Sequence, residues 1–170
     1  MSVEVYVPSV ETDALLLQWW ARMNDAGELE TIFPSFATPS AFLAAMQVPT
    51  AVLFDHDTDG ITVAVWCTAL LHSAALSLWV RKDYRHRRWV HVVIDALRTL
   101  FTAGVRLIVF VSELPHVIRA AQDVHFEILG QIPSLVSSAQ NATIGFLTVQ
   151  QFEVHYGTTG SSSAGPSGRG

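Results

Sequence analysis

An apolar strand runs straight into a basic turn, and the turn into a long amphipathic helix, between Ala75 and Ala103. This junction constrains the fold more than any other part of the chain. Ala74 to Val80 reads as a strand. The turn that follows is Val80-Arg81-Lys82-Asp83-Tyr84-Arg85-His86-Arg87-Arg88-Trp89-Val90, and five of the ten Lys and Arg residues lie between Arg81 and Arg88. The helix predicted from about Arg87 to Ala103 carries Trp89, Val93, Ala96, Leu97, Leu100 and Phe101 on one face, with Gly104 as its stop. Val105 to Val111 is then apolar enough to lie centrally in a sheet. A strand-turn-helix-strand order with a right-handed crossover makes the strands ending at Val80 and Val111 parallel, and they are expected to diverge at those ends. The unpaired N–H groups of a helix N-terminus attract anions, and guanidinium groups beside them point to a phosphate or pyrophosphate ligand. The competing reading is a solvated basic turn or a protein-contact patch.

The charge distribution favours one local anion site over a broad nucleic-acid surface. Net charge is −5; nine acids and one base precede Ile61, whereas seven bases and two acids lie between Arg81 and Arg106. Nonspecific nucleic-acid binding wants a wide basic face, so no nucleic-acid partner is expected. With 170 residues, half of them hydrophobic, the chain fits one well-filled domain. Its apolar runs are cut by Arg, Asp or Glu before reaching membrane-spanning length, and Met1 to Val5 does not read as a secretory signal. The single Cys67 excludes an internal disulfide and reads as a small buried hydrophobe. A cytoplasmic protein with no membrane partner is expected.

Along the chain, Val3 to Val7 alternates like a strand, and Leu15, Leu16, Trp19, Trp20 and Met23 mark a helix ending near Gly27. Thr38-Pro39 suits the start of a short helix bearing Phe42, Leu43 and Met46. Strands at Thr50–Phe54 and Ile61–Leu70 flank the turn Asp55 to Gly60, and Leu71-His72-Ser73 leads into the next strand. A helix at Pro115–Asp123 and strands near Phe126–Ile132 and Thr143–Thr148 complete a single domain over 1–156, followed by a disordered Gly/Ser-rich tail at 157–170. The order β-α-α-β-β-β-α-β-α-β-β implies an α+β (mixed α/β) domain.

This layout resembles the GCN5-related N-acetyltransferase superfamily over roughly Val3 to Gln151, and in detail from Ala75 to Gly130. Members carry a strand ending in Val, then a "Tyr-Arg-Gly-x-Gly-x-Gly/Ala" turn opening a helix; here Val80, Tyr84, Arg85, His86, Arg87, Arg88, Trp89 and Val90 take those places. Val93-Ile94-Asp95-Ala96-Leu97 looks like the helix that follows, and Val124-His125-Phe126-Glu127-Ile128-Leu129-Gly130 is similar to the family's "Leu-Gly-Phe-Glu-x-x-Gly" segment. The resemblance implies an acyl-CoA N-acyltransferase fold: a central mixed, twisted sheet of about six to seven strands flanked by about four helices. It further implies acetyl-CoA or another acyl-CoA as ligand, with the Val80 backbone on the pantetheine and Arg85 to Val90 at the pyrophosphate. An acetyl group would pass to a primary amine by direct attack. Glu113 or His116, just beyond the fifth strand, would take the amine proton.

The sequence departs from the family where chemistry is concentrated. His86, Arg88 and Val90 replace the loop glycines, and the family's Asn and thiolate-protonating Tyr correspond to Leu114 and Ala121. Glycine permits close approach of backbone to pyrophosphate, so side-chain cations would have to substitute. The alternative reading is a catalytically degenerate relative that keeps the fold as a structural or interaction module, similar to divergent phage-encoded acetyltransferase-like proteins and virion-associated if so. A homodimer or a virion or other protein partner is compatible with either.

Other motifs read as structural. Asp55-x-Asp57-x-Asp59-Gly60 begins like a calcium loop, but Trp66 stands at the twelfth position, so a hairpin turn is expected. The seven histidines lack partners at ligand spacing, and no metal is expected. The five tryptophans are read chiefly as core or sheet-packing residues, with Trp89 also considered as a cover for an adenine ring.

Overall fold

The strand leading into the basic turn and the strand after its helix pair in parallel, and then separate. The computed structural model describes residues 4–5, 10–29, 38–46, 51–87, 89–133 and 141–159. These form β1 (Glu4–Val5), α1 (Val10–Asp25), α2 (Pro39–Met46), β2 (Ala51–Asp57), β3 (Gly60–Leu70), β4 (Ser73–Val80), α3 (Val90–Thr102), β5 (Leu107–Ser112), α4 (Pro115–Asp123), β6 (Glu127–Pro133), β7 (Asn141–Thr148) and α5 (Val149–Tyr156), with a 3-10 turn at Lys82–Tyr84. One seven-stranded sheet has the order β1-β2-β3-β4-β5-β7-β6. Among the described residues its single parallel pair is β4 with β5, running from Ser73 opposite Leu107 to Leu76 opposite Phe110. Beyond Leu76 the last four residues of β4 have no β5 partner. The expected divergence at Val80 is therefore present.

Alternation along the strands sends side chains to two cores. On one face Leu53, Val63, Val65, Leu76, Leu78, Val80 and Ile108 meet the apolar sides of α3, α4 and α5. On the other, α1 and α2 place Leu16, Trp19, Met23, Phe42 and Met46 against Val52, Phe54, Ala64, Trp66 and Trp79. Burial of these two layers dominates the favourable side of folding.

The mixed α/β class follows the sequence reading, with three local differences. The structure has five helices among the described residues, one more than expected. The additional one, α5, is a helix where no element was assigned; Thr148 and Gln151 form a reciprocal capping box at its start. Helix α3 begins at Val90 rather than Arg87, because the residues before it close tight turns: the Tyr84 amide donates to Arg81 O at 2.8 Å and the Arg87 amide to Tyr84 O at 2.9 Å. The turn expected over Asp55–Gly60 shrinks to Thr58-Asp59, since Asp55, His56 and Asp57 belong to β2 and pair with β3 across a register shift. The strand reading of Val3 to Val7 is seen only at Glu4–Val5; its other residues lie outside the described residues.

Three residues of the tail segment beyond α5 are described, and they bond back to its last turn. Gly157 N donates to Glu153 O, and Thr159 donates through both its amide and hydroxyl to Glu153 Oε1. The rest of that segment lies outside the described residues.

One glycine is fixed by close approach. A Cβ at Gly145, on β7, would lie 2.5 Å from Cε1 of Phe110 and 2.8 Å from the Glu127 carbonyl oxygen. Phe110 is itself locked edge-on against Phe126 at 5.2 Å, and the carbonyl belongs to the neighbouring strand. Gly145→Ala is expected to destabilise the domain by about 1–3 kcal/mol, the cost of overpacking a filled core; the urea midpoint measures it.

Candidate functional site

The splay at the end of β4 positions the candidate site. The Arg81 amide donates to Thr62 O on β3 at 2.8 Å. A trans peptide places its N–H and C=O on opposite sides, so the Val80 carbonyl faces the gap left by β5. That is the geometry a strand needs to pair with something other than a strand. Val80's side chain is fully buried in the core below.

Arg81 anchors the turn. Its guanidinium donates to both Asp57 carboxylate oxygens, at 3.0 and 2.7 Å, and to both of Asp83, at 2.7 and 3.1 Å. The Asp57 hydrogen bond, followed by that of Asp83, holds the guanidinium above its ordinary pKa. Arg81 in turn holds both carboxyls below theirs. This cation ties the turn to the β2–β3 hairpin and is committed to that task. Tyr84 is buried beneath the turn, and burial, followed by the charge of Asp55, raises its hydroxyl's pKa.

The residues singled out from the sequence divide into three groups. Arg85 crosses the splay: its Nε donates to the Val80 carbonyl at 3.0 Å, and its guanidinium pairs with Glu28, from the segment after α1. Glu28 also accepts from Trp79 Nε1 at 2.9 Å. His86 and Arg87 face solvent, Arg87 lying over the Tyr84 ring at 5.2 Å. Trp89 and Val90 support the turn from behind: Trp89 is 4% exposed with its Nε1 3.4 Å from Arg85 O, and Val90 packs half-buried on the core. Arg88 lies outside the described residues.

The two proton-transfer candidates flank the start of α4. Glu113 is half-buried just after β5; His116 is half-buried in the helix's first turn, after Pro115 at its start. Burial, then the positive charge of Arg85, push the His116 imidazole down to about 4, with Glu28 acting in the opposite sense. Arg85, Glu28 and His116 are thus brought together at the mouth of the splay. Ala121, at the position matched to the family's Tyr, is buried against the core.

Beside this mouth lies a cleft of about 600 Å³ whose lining includes Asp25, Glu28, Asp59 and Asp83, opposed by Arg22, Arg81 and Lys82. Trp79 and His86 also border it. Among the described residues no three His, Cys, Asp or Glu side chains converge as metal ligands, and no helix is long and apolar enough to cross a membrane.

Sequence reasoning missed Glu28, which clamps β4 and the turn together, and did not foresee that Arg81 would be spent on Asp57. The one signal was the excess of acids before Ile61 beside a cationic turn, which foreshadowed internal pairing as well as ligand binding.

No protein-family model matches the sequence, and no curated protein matches it. Solved structures match closely in shape. A ribosomal-protein-S5-alanine acetyltransferase from Vibrio fischeri superposes with a TM-score of 0.68 at 10% identity, covering 87% of this chain and 93% of its own. A GCN5-related N-acetyltransferase from Kribbella flavida gives 0.65 at 16%, covering 86% and 97%. An aminoglycoside acetyltransferase in complex with coenzyme A and kanamycin gives 0.66 at 13%, covering 91% and 99%. The chain has the fold of the GCN5-related N-acetyltransferases.

Proposed function

We propose that the protein binds an acyl-CoA, acetyl-CoA foremost, in the β4–β5 splay and transfers the acyl group to a primary amine. The observation that carries this reading is the Val80 carbonyl, turned into the gap where β5 has left β4 and followed directly by the cationic turn and the α3 N-terminus. A pantetheine amide pairs with such a carbonyl as a strand would. Arg85 and Arg87 would supply cations and His86 a ring N–H at the pyrophosphate end, with Arg88 assigned to the same role from its place in the sequence, while Trp89 and Val90 hold the turn's shape. The solved relative carrying coenzyme A supports the same choice of ligand.

The bound thioester supplies an activated acyl carbon; the protein's part is to bring an amine to it with a free lone pair. Holding both reactants in one cleft supplies much of the rate enhancement. A positioned base adds roughly 10²–10⁴-fold. Glu113 and His116, half-buried at the start of α4, are the groups we assign to that role. The acceptor amine loses a proton before attack and bonds through nitrogen as the thiolate departs.

A second reading, a fold-retaining module without catalysis, is favoured by the turn itself: the Tyr84 and Arg87 amides are consumed within it and Arg85 already occupies Val80. Calorimetric titration with acetyl-CoA decides between them. On the acyl-CoA reading binding is measurable below millimolar ligand and weakens with added salt, and the exposed Arg87→Glu weakens it about tenfold or more while shifting the melting temperature little. Absence of heat at millimolar acetyl-CoA would establish the non-catalytic reading.

A further inference from the structure

We propose that Arg85 is a latch on the acyl-CoA channel, exchanging the Val80 carbonyl and Glu28 for the anionic end of the ligand when the channel fills. The inference rests on the acyl-CoA reading above and goes beyond it by assigning Arg85 and Glu28 a gating role. Arg85 lies five residues beyond Val80, close enough for its side chain to fold back into the gap. Its Nε occupies the acceptor that faces the splay and its guanidinium fills the approach to it, while Glu28 holds the same guanidinium in place. Both partners are only partly wet, with side-chain exposures of 23% for Arg85 and 19% for Glu28, so the pair is screened less than a surface ion pair. A pantetheine amide cannot reach the Val80 oxygen while the guanidinium stands there.

The same side chain has a second place to go. Arg85 belongs to the turn that precedes α3, so rotation about its own side chain carries the guanidinium from the strand end to the phosphate end without moving the backbone. The released Glu28 keeps one neutral partner, the Trp79 indole N–H, and borders the neighbouring cleft with its other oxygen free. Opening would also remove the cation whose charge acts on His116. Filling the channel therefore changes three groups at once: the Val80 acceptor is freed, the neighbouring cleft gains a free carboxylate oxygen, and the imidazole becomes more basic.

A closed latch lowers apparent affinity by the fraction of molecules that are open. Glu28→Gln removes the ion pair while keeping an oxygen for Trp79. Titration with coenzyme A is expected to show binding roughly tenfold tighter in Glu28→Gln than in the wild type. Arg85→Met, which removes the latch and the phosphate contact together, should bind more weakly than Glu28→Gln. Circular dichroism confirms that each variant is folded. As a readout independent of affinity, NMR titration of His116 should show its pKa rising when coenzyme A saturates the wild type. Unchanged or weaker binding by folded Glu28→Gln, with wild-type binding intact, would overturn the latch and leave the acyl-CoA reading standing. No binding by the wild type or by Glu28→Gln would end both.

Discussion

Replacing Trp19 with alanine is expected to cost about 3–5 kcal/mol, the range for truncating a large aromatic in a filled core. Trp19 is fully buried on α1, where it is the hub of the core beneath the two N-terminal helices. Its ring centroid lies 5.3 Å from Phe42 on α2, 5.8 Å from Phe54 on β2, 4.9 Å from Trp66 on β3 and 6.3 Å from Trp79 on β4. Truncation would strip contacts from two helices and three strands and leave a void that rigid neighbours cannot close. Aromatic pairs in edge-on or tilted geometry each add about 0.5–1.5 kcal/mol beyond area burial, which favours the upper part of the range. For a domain of this size a melting temperature lower by roughly 6–20 °C corresponds to that loss. Leu17→Ala, on the open side of the same helix, serves as the control and should shift stability by under about 1 kcal/mol. Equal effects at the two positions would mean that α1 does not dock as described.

Regular periodicity made most of this architecture legible. Trp19 sits in a three- and four-residue apolar rhythm, and Ala74 to Val80 followed by the α3 stripe forces a parallel crossover. What escaped the sequence reading has local causes. The segment Val149–Tyr156 mixes β-branched and aromatic residues with polar ones, and the sequence reading assigns it no element; its helical signal is the pair Thr148 and Gln151 three positions apart. Asp55 and Asp57 resemble turn residues because carboxylates are unfavourable in strands. Here Asp55 accepts from the Thr62 hydroxyl and Asp57 from Arg81, and these partners keep both in β2. The site was legible as a place and not as a network. Glu28 and Arg85 are 57 positions apart, and no pattern within a short window joins them.

The ligand turn shows why motif and mechanism separate. A glycine turn leaves backbone amides open to an anion, whereas here the Arg85 side chain bonds Val80 O and Glu28 and the Arg87 side chain lies over the Tyr84 ring. An arginine can serve both ends of a channel; a glycine amide cannot move between them. Arg85 itself stands at a place where the compared turn also has Arg, and the departures are at His86, Arg88 and Val90.

His116 should make the protein acid-sensitive within a defined window. Its imidazole ordinarily titrates near 6.5 and is held down to about 4 in the folded protein, first by burial and then by Arg85. Between those values the unfolded chain carries a proton that the folded one does not, so stability rises with pH across the window and falls as pH drops from 6.5 to 4. Above 6.5 both states are neutral there and the contribution is complete. The full difference would be worth about 3 kcal/mol; partial exposure of the ring reduces it to roughly 1–2 kcal/mol. Asp57 and Asp83 behave alike in sign but not in range, since their depressed pKa values place their loss below the ordinary carboxylate value of 3.8. Urea unfolding of the wild type and of His116→Gln at pH 7 and pH 4.5 separates the effects. The wild type should lose more stability than the variant between the two conditions, and the difference between them is the share owed to His116. Identical losses would mean that the imidazole is hydrated in the fold, and would remove the physical reason for coupling it to Arg85.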